Sequence, residues 1–251
     1  MRVLSIDVGI KNLAYCILEV LNNSNDEYPY KIIQWGVLDI LSDLKKIPKC
    51  CVLQKNKKIC NRESTIYENN NNQLIGYCNR HKKNCISTNF FYAGCSDLKK
   101  IPILELTMLF IQKLDKHLEF RDVDVVIIEN QPCLRNPRMK TVQNIIYMYF
   151  VMNGILSESS KINDISLISA RNKLSVYKGP KIECNLKNEY SRTKKLSIEY
   201  SKIILKNDID NCNVLNTHKK KDDLCDAFLQ GIYYLDKNKN KNKIKNKELN
   251  I

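Results

Sequence analysis

Glycine is scarce in this sequence, with seven among 251 residues. Proteins that cradle nucleotide phosphates need glycine-rich loops. After Asp7-Val8-Gly9 the chain offers no second loop of that kind, which argues against a nucleotide-dependent phosphotransferase. Long apolar runs are also missing: none approaches the roughly 18 residues that span a bilayer. The start, MRVLSIDVGIKN, meets Asp7 and Lys11 before an apolar export core could form. Acidic residues are in deficit, 27 against 41 lysines and arginines, giving a net charge of +14. Residues 237–251 (KNKNKNKIKNKELNI) contribute +5 of this, so the rest of the chain is basic in its own right. That balance favours a polyanionic partner, most simply nucleic acid, although an AT-rich coding bias also enriches lysine and asparagine. With no export signal, eleven cysteines belong in a reducing compartment, where they suit metal binding better than disulfides.

What is present reads as a mixed α/β domain with an insertion. Strands are expected at 2–8 (RVLSIDV), 12–20 (NLAYCILEV) and 30–40 (YKIIQWGVLDI), linked tightly enough for an antiparallel meander. Further strands are expected at 122–130, ending in Glu129, and at 164–170 (DISLISA). Helical spacing marks 97–119 through Leu104, Met108, Ile111, Leu114 and Leu118, with Pro102 in the first turn. It marks 139–157 through Val142, Ile145, Tyr149, Met152 and Leu156, and two more helices at 188–205 and 220–235. The expected division is a main domain of 1–42 with 97–236, an inserted module of 43–96, and a disordered basic tail of 237–251.

Acidic residues recur at the ends of these apolar elements. Asp7 closes the first strand, Glu129 closes the fourth, and KKKDDLCDAFLQG (219–231) sets Asp222, Asp223 and Asp226 on one side of the last helix. Such carboxylates repel one another unless a cation neutralises them, and hard oxygens suit Mg²⁺ or Mn²⁺. Two such ions roughly 4 Å apart can activate water and stabilise the leaving oxygen of a phosphodiester. The plainer reading of the last three acids is a solvated helix N-terminus, where the dipole favours negative charge.

IDVGIKNLAY, VIIENQPCLRNPRMKTVQNIIYMYF and KKDDLCDAFL, in that order, resemble the Holliday junction resolvases of poxviruses and related large DNA viruses. Those are relatives of bacterial RuvC. The resemblance implies an RNase H-like mixed five-stranded sheet flanked by helices. It implies Mg²⁺-dependent cleavage of four-way DNA junctions by a homodimer making paired symmetric nicks, with no small-molecule cofactor and no membrane partner. It also implies an intracellular setting at sites of viral DNA replication, in the cytoplasm. By resemblance the metal-holding acids are Asp7, Glu129, Asp223 and Asp226, with Asp222 open as an alternative to Asp223. IDVGIKN alone would fit sugar kinases, actin-like ATPases or RNA-guided nucleases equally well.

The inserted module has its own pattern. KCCVLQKNKKIC (49–60) and GYCNRHKK (76–83) provide Cys50 or Cys51, Cys60, Cys78 and His81. Three thiolates and an imidazole at this spacing suit a closed structural zinc site. An insertion this polar needs metal to fold, and Cys85 and Cys95 are spare ligands or ordinary thiols. DNA phosphates are expected at Lys11, Arg135, Arg138, Lys140, Arg171, Lys173, Lys178 and Lys181. His218 near the acids reads as incidental, and the apolar helix 139–157 as the dimer surface. The competing readings are a nuclease for other branched DNA or RNA–DNA hybrids, and a non-catalytic zinc-dependent DNA-binding protein.

Overall fold

A computed structural model describes residues 1–21, 28–42, 48–70, 73–86, 90–92, 101–134 and 136–248. In chain order the elements begin with β1 (Arg2–Asp7), β2 (Asn12–Val20), β3 (Tyr30–Asp39), β4 (Ile66–Asn70), β5 (Gln73–Tyr77) and β6 (Phe90–Tyr92). They continue with α1 (Ile103–Asp115), β7 (Val125–Glu129), α2 (Pro137–Phe150), β8 (Asp164–Ile168), α3 (Glu189–Ile204), α4 (Ile209–Thr217) and α5 (Lys221–Glu248). The chain divides into two compact units: Met1–Ile40 with Phe110–Ile251, and Leu41–Leu109. The second unit thus runs further than the expected insertion and takes in the start of α1.

The first unit is built on a five-stranded sheet of order β3-β2-β1-β7-β8. β1 pairs antiparallel with β2 and β2 with β3, whereas β1–β7 and β7–β8 are parallel. The expected mixed sheet is therefore present. Its central strands are apolar runs because both faces are covered: Val3, Leu4 and Ile6 in β1 and Val126, Ile127 and Ile128 in β7 are fully buried. α5 packs on this sheet through Leu224, Ala227, Phe228, Leu229 and Ile232. Each such side chain contributes on the order of 1.5–3 kcal/mol when buried. The approach is close: a Cβ on Gly231 would lie 2.5 Å from Leu18 Cδ1, so only glycine fits there without repacking.

Three expectations are corrected. On α1, Leu104, Met108 and Ile111 are exposed, as is Leu118 beyond it; of the expected set only Leu114 is buried, alongside Leu106 and Phe110. Both sets have helical spacing, so periodicity found the helix but could not choose its inner face. α2 begins at Pro137, two residues early, because Asn136 caps it by accepting from the Met139 N–H at 3.1 Å. Residues 237–248 extend α5 where a disordered tail was expected. Extending an existing helix costs no new nucleus, and lysine is a good helix former.

The second unit contains an antiparallel sheet of order β5-β4-β6. The sequence reading assigned it no strands.

Candidate nuclease centre and metal knuckle

The register of the parallel pair places the first two acids. Ile6 lies opposite Ile128, so Asp7 and Glu129, the next residues, end neighbouring strands side by side. Carboxyl ends of parallel strands are where open α/β sheets bind ligands. Asp226 comes from α5, and Gln230, one turn later on the same face, locks that helix in place. The buried Gln230 amide donates to Ser5 Oγ at 3.2 Å and to the Ile6 carbonyl at 3.1 Å. The Trp35 indole N–H holds the Leu224 carbonyl at 2.9 Å. Gln230 was not foreseen; its signal is a lone amide four residues after an acid within an apolar stretch.

The electrostatics of the cluster are those of crowded, enclosed charge. Burial pushes the Asp7 carboxyl well above its ordinary range, and a hydrogen bond with Glu129 adds to this. Two carboxyls share such a bond only when one holds a proton. Burial likewise raises Asp226, with Lys173 opposing the shift. The Lys173 ammonium lies 2.6 Å from Asp226 Oδ2 and is almost fully enclosed. Burial alone would lower its pKa, but Asp7, Asp226 and Glu129 outweigh that and raise it. Lys173 is thus an internal counter-ion to the acids and not the exposed phosphate contact it was expected to be. It rides on a 3-10 segment, Ala170–Val176, in which residues three apart share a side, so Lys173 is buried along with Val176.

Replacing Lys173 with methionine removes the charge from a buried cluster. Such a loss costs on the order of 3–5 kcal/mol. Lys173→Met is expected to melt well below wild type in a chelator, and added Ca²⁺ should restore more stability to the variant than to wild type. Equal melting in chelator would deny the counter-ion role.

Asp226 Oδ1 is buried and has no hydrogen-bond partner among the described residues. Asp223 lies three residues away on α5, its carboxyl raised by burial and by the neighbouring Asp222. Asp222 itself is ion-paired to Lys194, which holds its carboxyl low against the effect of burial. That pairing favours Asp223 over Asp222 as the fourth acid. The acids stay looser than the thiol cluster described below, which is the only set among the described residues to bring three or more donor atoms within 4.8 Å of one another.

Of the other expected phosphate contacts, Lys11, Arg171 and Lys181 are exposed. Lys140 bonds Asn130 Oδ1 and Gln143 Oε1, both at 2.9 Å, on the loop that leaves Glu129. Gln143 Oε1 also accepts from the Gln131 N–H at 2.8 Å, so the same network fixes that loop. Arg138 is half-buried on α2. Lys178 instead pairs with Asp236 at 3.6 Å, beside the bond from the Tyr30 hydroxyl to the same carboxylate. Arg135 lies outside the described residues, as does Cys95. His218 Nδ1 accepts from the Lys220 N–H at 3.0 Å, a local capping role.

In the second unit, Cys50, Cys60, Cys78 and His81 bring their ligand atoms within 4.8 Å of one another. Cys60 and Cys78 sulfurs are 3.8 Å apart, and His81 Nδ1 is 3.4 Å from Cys50 Sγ and 3.5 Å from Cys78 Sγ. A tetrahedron with metal–sulfur bonds of about 2.3 Å and metal–nitrogen bonds of about 2.0 Å has edges close to these. The Arg62 backbone N–H leads in lowering the Cys60 thiol to about 7, which favours the metal-binding thiolate. Cys51 is exposed, with its thiol on the Gly76 carbonyl at 3.6 Å, so Cys50 is the residue of that pair in the cluster. Cys85 is engaged by Glu68.

The model for the family described as mitochondrial resolvase Ydc2 / RNA splicing MRS1 matches residues 3–156. An uncharacterized protein of Acanthamoeba polyphaga mimivirus is 30% identical, with the match covering 94% of this chain and 75% of that protein. The crystal structure of the yeast mitochondrial Holliday junction resolvase Ydc2 superposes with a TM-score of 0.50 at 15% identity, over 93% of this chain and 78% of Ydc2. The fowlpox virus resolvase, solved with Holliday junction DNA, gives 0.44 at 19% identity, over 94% of this chain and 98% of its own. With a family match across most of the main sheet, and the Ydc2 fold around the clustered acids, this chain belongs to the Ydc2/MRS1 resolvase family.

Proposed function

We propose that this chain is a structure-selective, divalent-metal-dependent endonuclease that resolves four-way DNA junctions as a homodimer. The observation that carries the reading is the convergence of Asp7, Glu129 and Asp226 at one end of a parallel strand pair, with Asp226 Oδ1 buried and unpartnered among the described residues. An orphaned carboxylate oxygen in an acidic cluster fits a hard cation. Asp7, Glu129, Asp223 and Asp226 would hold Mg²⁺ or Mn²⁺. Bound there, such ions supply Lewis-acid charge and an activated water for phosphodiester hydrolysis, giving 5′-phosphate and 3′-hydroxyl ends. The chain's own residues do the rest. Strand ends fix two acids, Gln230 fixes the helix that carries the third, and Lys173 keeps the cluster neutral enough to fold. Lys11, Lys140, Arg171 and Lys181 supply cations for the backbone. In the second unit, Cys50, Cys60, Cys78 and His81 would hold a structural zinc ion.

Two symmetric nicks call for two sites related by a two-fold axis. α2 leaves Met148 52% exposed, and beyond its end Met152 and Ile155 are 63% and 42% exposed, at spacings of four and three. This apolar stripe is the proposed dimer face. Incubation of a labelled synthetic junction with Mg²⁺ should give paired nicks at symmetric positions, with linear duplex cut far more slowly. Met152→Glu should shift the protein to monomer in sedimentation and reduce paired nicking to single nicks. Junction binding without nicking in Mg²⁺ or Mn²⁺ would overturn the nuclease reading; equal cutting of duplex or hybrid would overturn the substrate.

A further inference from the structure

Beside the thiol–imidazole cluster the second unit carries a feature the nuclease site does not use. An open basin of about 480 Å³ is lined by Lys55, Arg62 and Arg80 together with the amides of Gln54, Asn56 and Asn84. Among the described residues no carboxylate lines it. From 48 to 86 the sequence holds eight lysines and arginines against two glutamates. Both acids are committed elsewhere: Glu63 pairs with Lys49 at 3.7 Å, and Glu68 accepts from the Tyr77 hydroxyl at 2.6 Å. Among the described residues Lys55, Arg62 and Arg80 form no ion pair, and all three are exposed.

The backbone explains why these cations stand together. Cys50 N–H donates to the Arg62 carbonyl at 2.8 Å and Cys60 N–H to the Val52 carbonyl at 2.9 Å, closing a hairpin between two ligand cysteines. Lys57 and Asn61 take positive φ values of 62° and 52° to complete its turns. The hairpin tip therefore presents Lys55, Lys57 and Lys58, while Arg80 stands next to the ligand His81 at the basin's other wall. Metal ligation would hold both walls rigid.

We infer that this basin is a second DNA-contact surface, which seats the phosphate backbone of a double-stranded arm without reading its sequence. Unpaired cations interspersed with amide donors are the groups that meet phosphate oxygens. Among the described residues the basin has no Phe, Tyr or Trp in its lining, so it offers no stacking platform of the kind on which single strands are held. The inference takes its polyanion from the nuclease reading, and its test is kept separate from cleavage.

The test uses full-length, zinc-loaded protein carrying Asp226→Asn in chelator-free buffer without added Mg²⁺ or Mn²⁺, with Lys55→Gln, Arg62→Gln and Arg80→Gln added together. Binding to linear duplex, four-way junction and single-stranded DNA is followed by fluorescence anisotropy across a salt series. Each lost phosphate contact lowers the slope of log affinity against log salt by about 0.9 for duplex. The triple variant should lose about two to three units of slope on duplex and on junction, and about tenfold or more in affinity at low salt. Lys55→Gln alone, five residues from either flanking ligand cysteine, should lose about one unit and serves if the triple variant binds less zinc. Unchanged slope and affinity at full zinc content would overturn the inference, as would a loss confined to single strands. A failure of the nuclease reading would be seen instead as absence of nicking by the wild-type chain, whatever the slopes.

Discussion

Asp226→Asn is expected to abolish junction cleavage while leaving junction binding close to wild type. Asparagine keeps the size of the side chain but removes the charge that would hold a divalent ion. Losing several kcal/mol of transition-state charge stabilisation slows the reaction by on the order of a thousandfold or more. The fold should tolerate the change. Burial raises the Asp226 pKa above its unfolded value, so ionisation at neutral pH works against the folded state when no metal is bound. A neutral amide removes that penalty, although Lys173 loses one of its three acidic partners. Single-turnover cleavage and melting in chelator, measured side by side, check both halves. Persisting cleavage would move the active centre away from α5, and a collapse of the melting temperature would make Asp226 structural.

The second large effect concerns the thiol cluster. Zinc ligation by three thiolates and an imidazole is worth on the order of 10 kcal/mol or more in small modules, where it is folding energy. The second unit has a three-stranded sheet of short strands, and Cys50, Cys60 and Cys78 form a buried cluster of their own with Val52 beside them. We propose that this cluster is held together by metal and not by apolar burial. A strong chelator, or Cys60→Ser with Cys78→Ser, should therefore remove one equivalent of zinc and render residues 48–86 rapidly exchanging in hydrogen–deuterium exchange. β1 and β7 should stay protected, since Val3, Leu4, Val126 and Ile127 are buried in a separate core. Zinc that remains bound to the double variant, or protection of the module that survives without it, would contradict the assignment.

The residues that could be read from sequence and those that could not differ in a physical way. β1, β2, β3, β7 and β8 were placed within about three residues: β1, β2 and β7 lie inside the sheet and leave apolar runs, while the edge strands β3 and β8 were marked by β-rich composition between turn-like stretches. Asp7 and Glu129 stood out as ionisable ends to such runs, and the pair Cys78 and His81 by ligand spacing. Lys173 did not stand out. In RNKLSVYKGPK it is one cation among several, and only the 3-10 turn and the neighbouring strand ends draw it inward. The sheet of β4, β5 and β6 was missed because its strands are short, and β4 is polar with an Asn-Asn end. The exposed stripe of α1 shows the converse limit: Leu104, Met108 and Ile111 carry a core-like pattern with no core behind it.

Gln230 reaches back 225 residues to Ser5, and β1 pairs with β7 more than a hundred residues away. The acids of the proposed centre are therefore separated by nearly the whole chain, at positions 7, 129 and 226. Contacts of such long sequence separation form late, because loop closure must precede them. During synthesis the nascent chain holds Asp7 and Glu129 long before α5 can bring Asp226. A truncated or stalled product would thus carry the cations proposed to meet DNA without the complete proposed centre, and a nick in the loops before α5 that freed the helix would take away its third acid in one step.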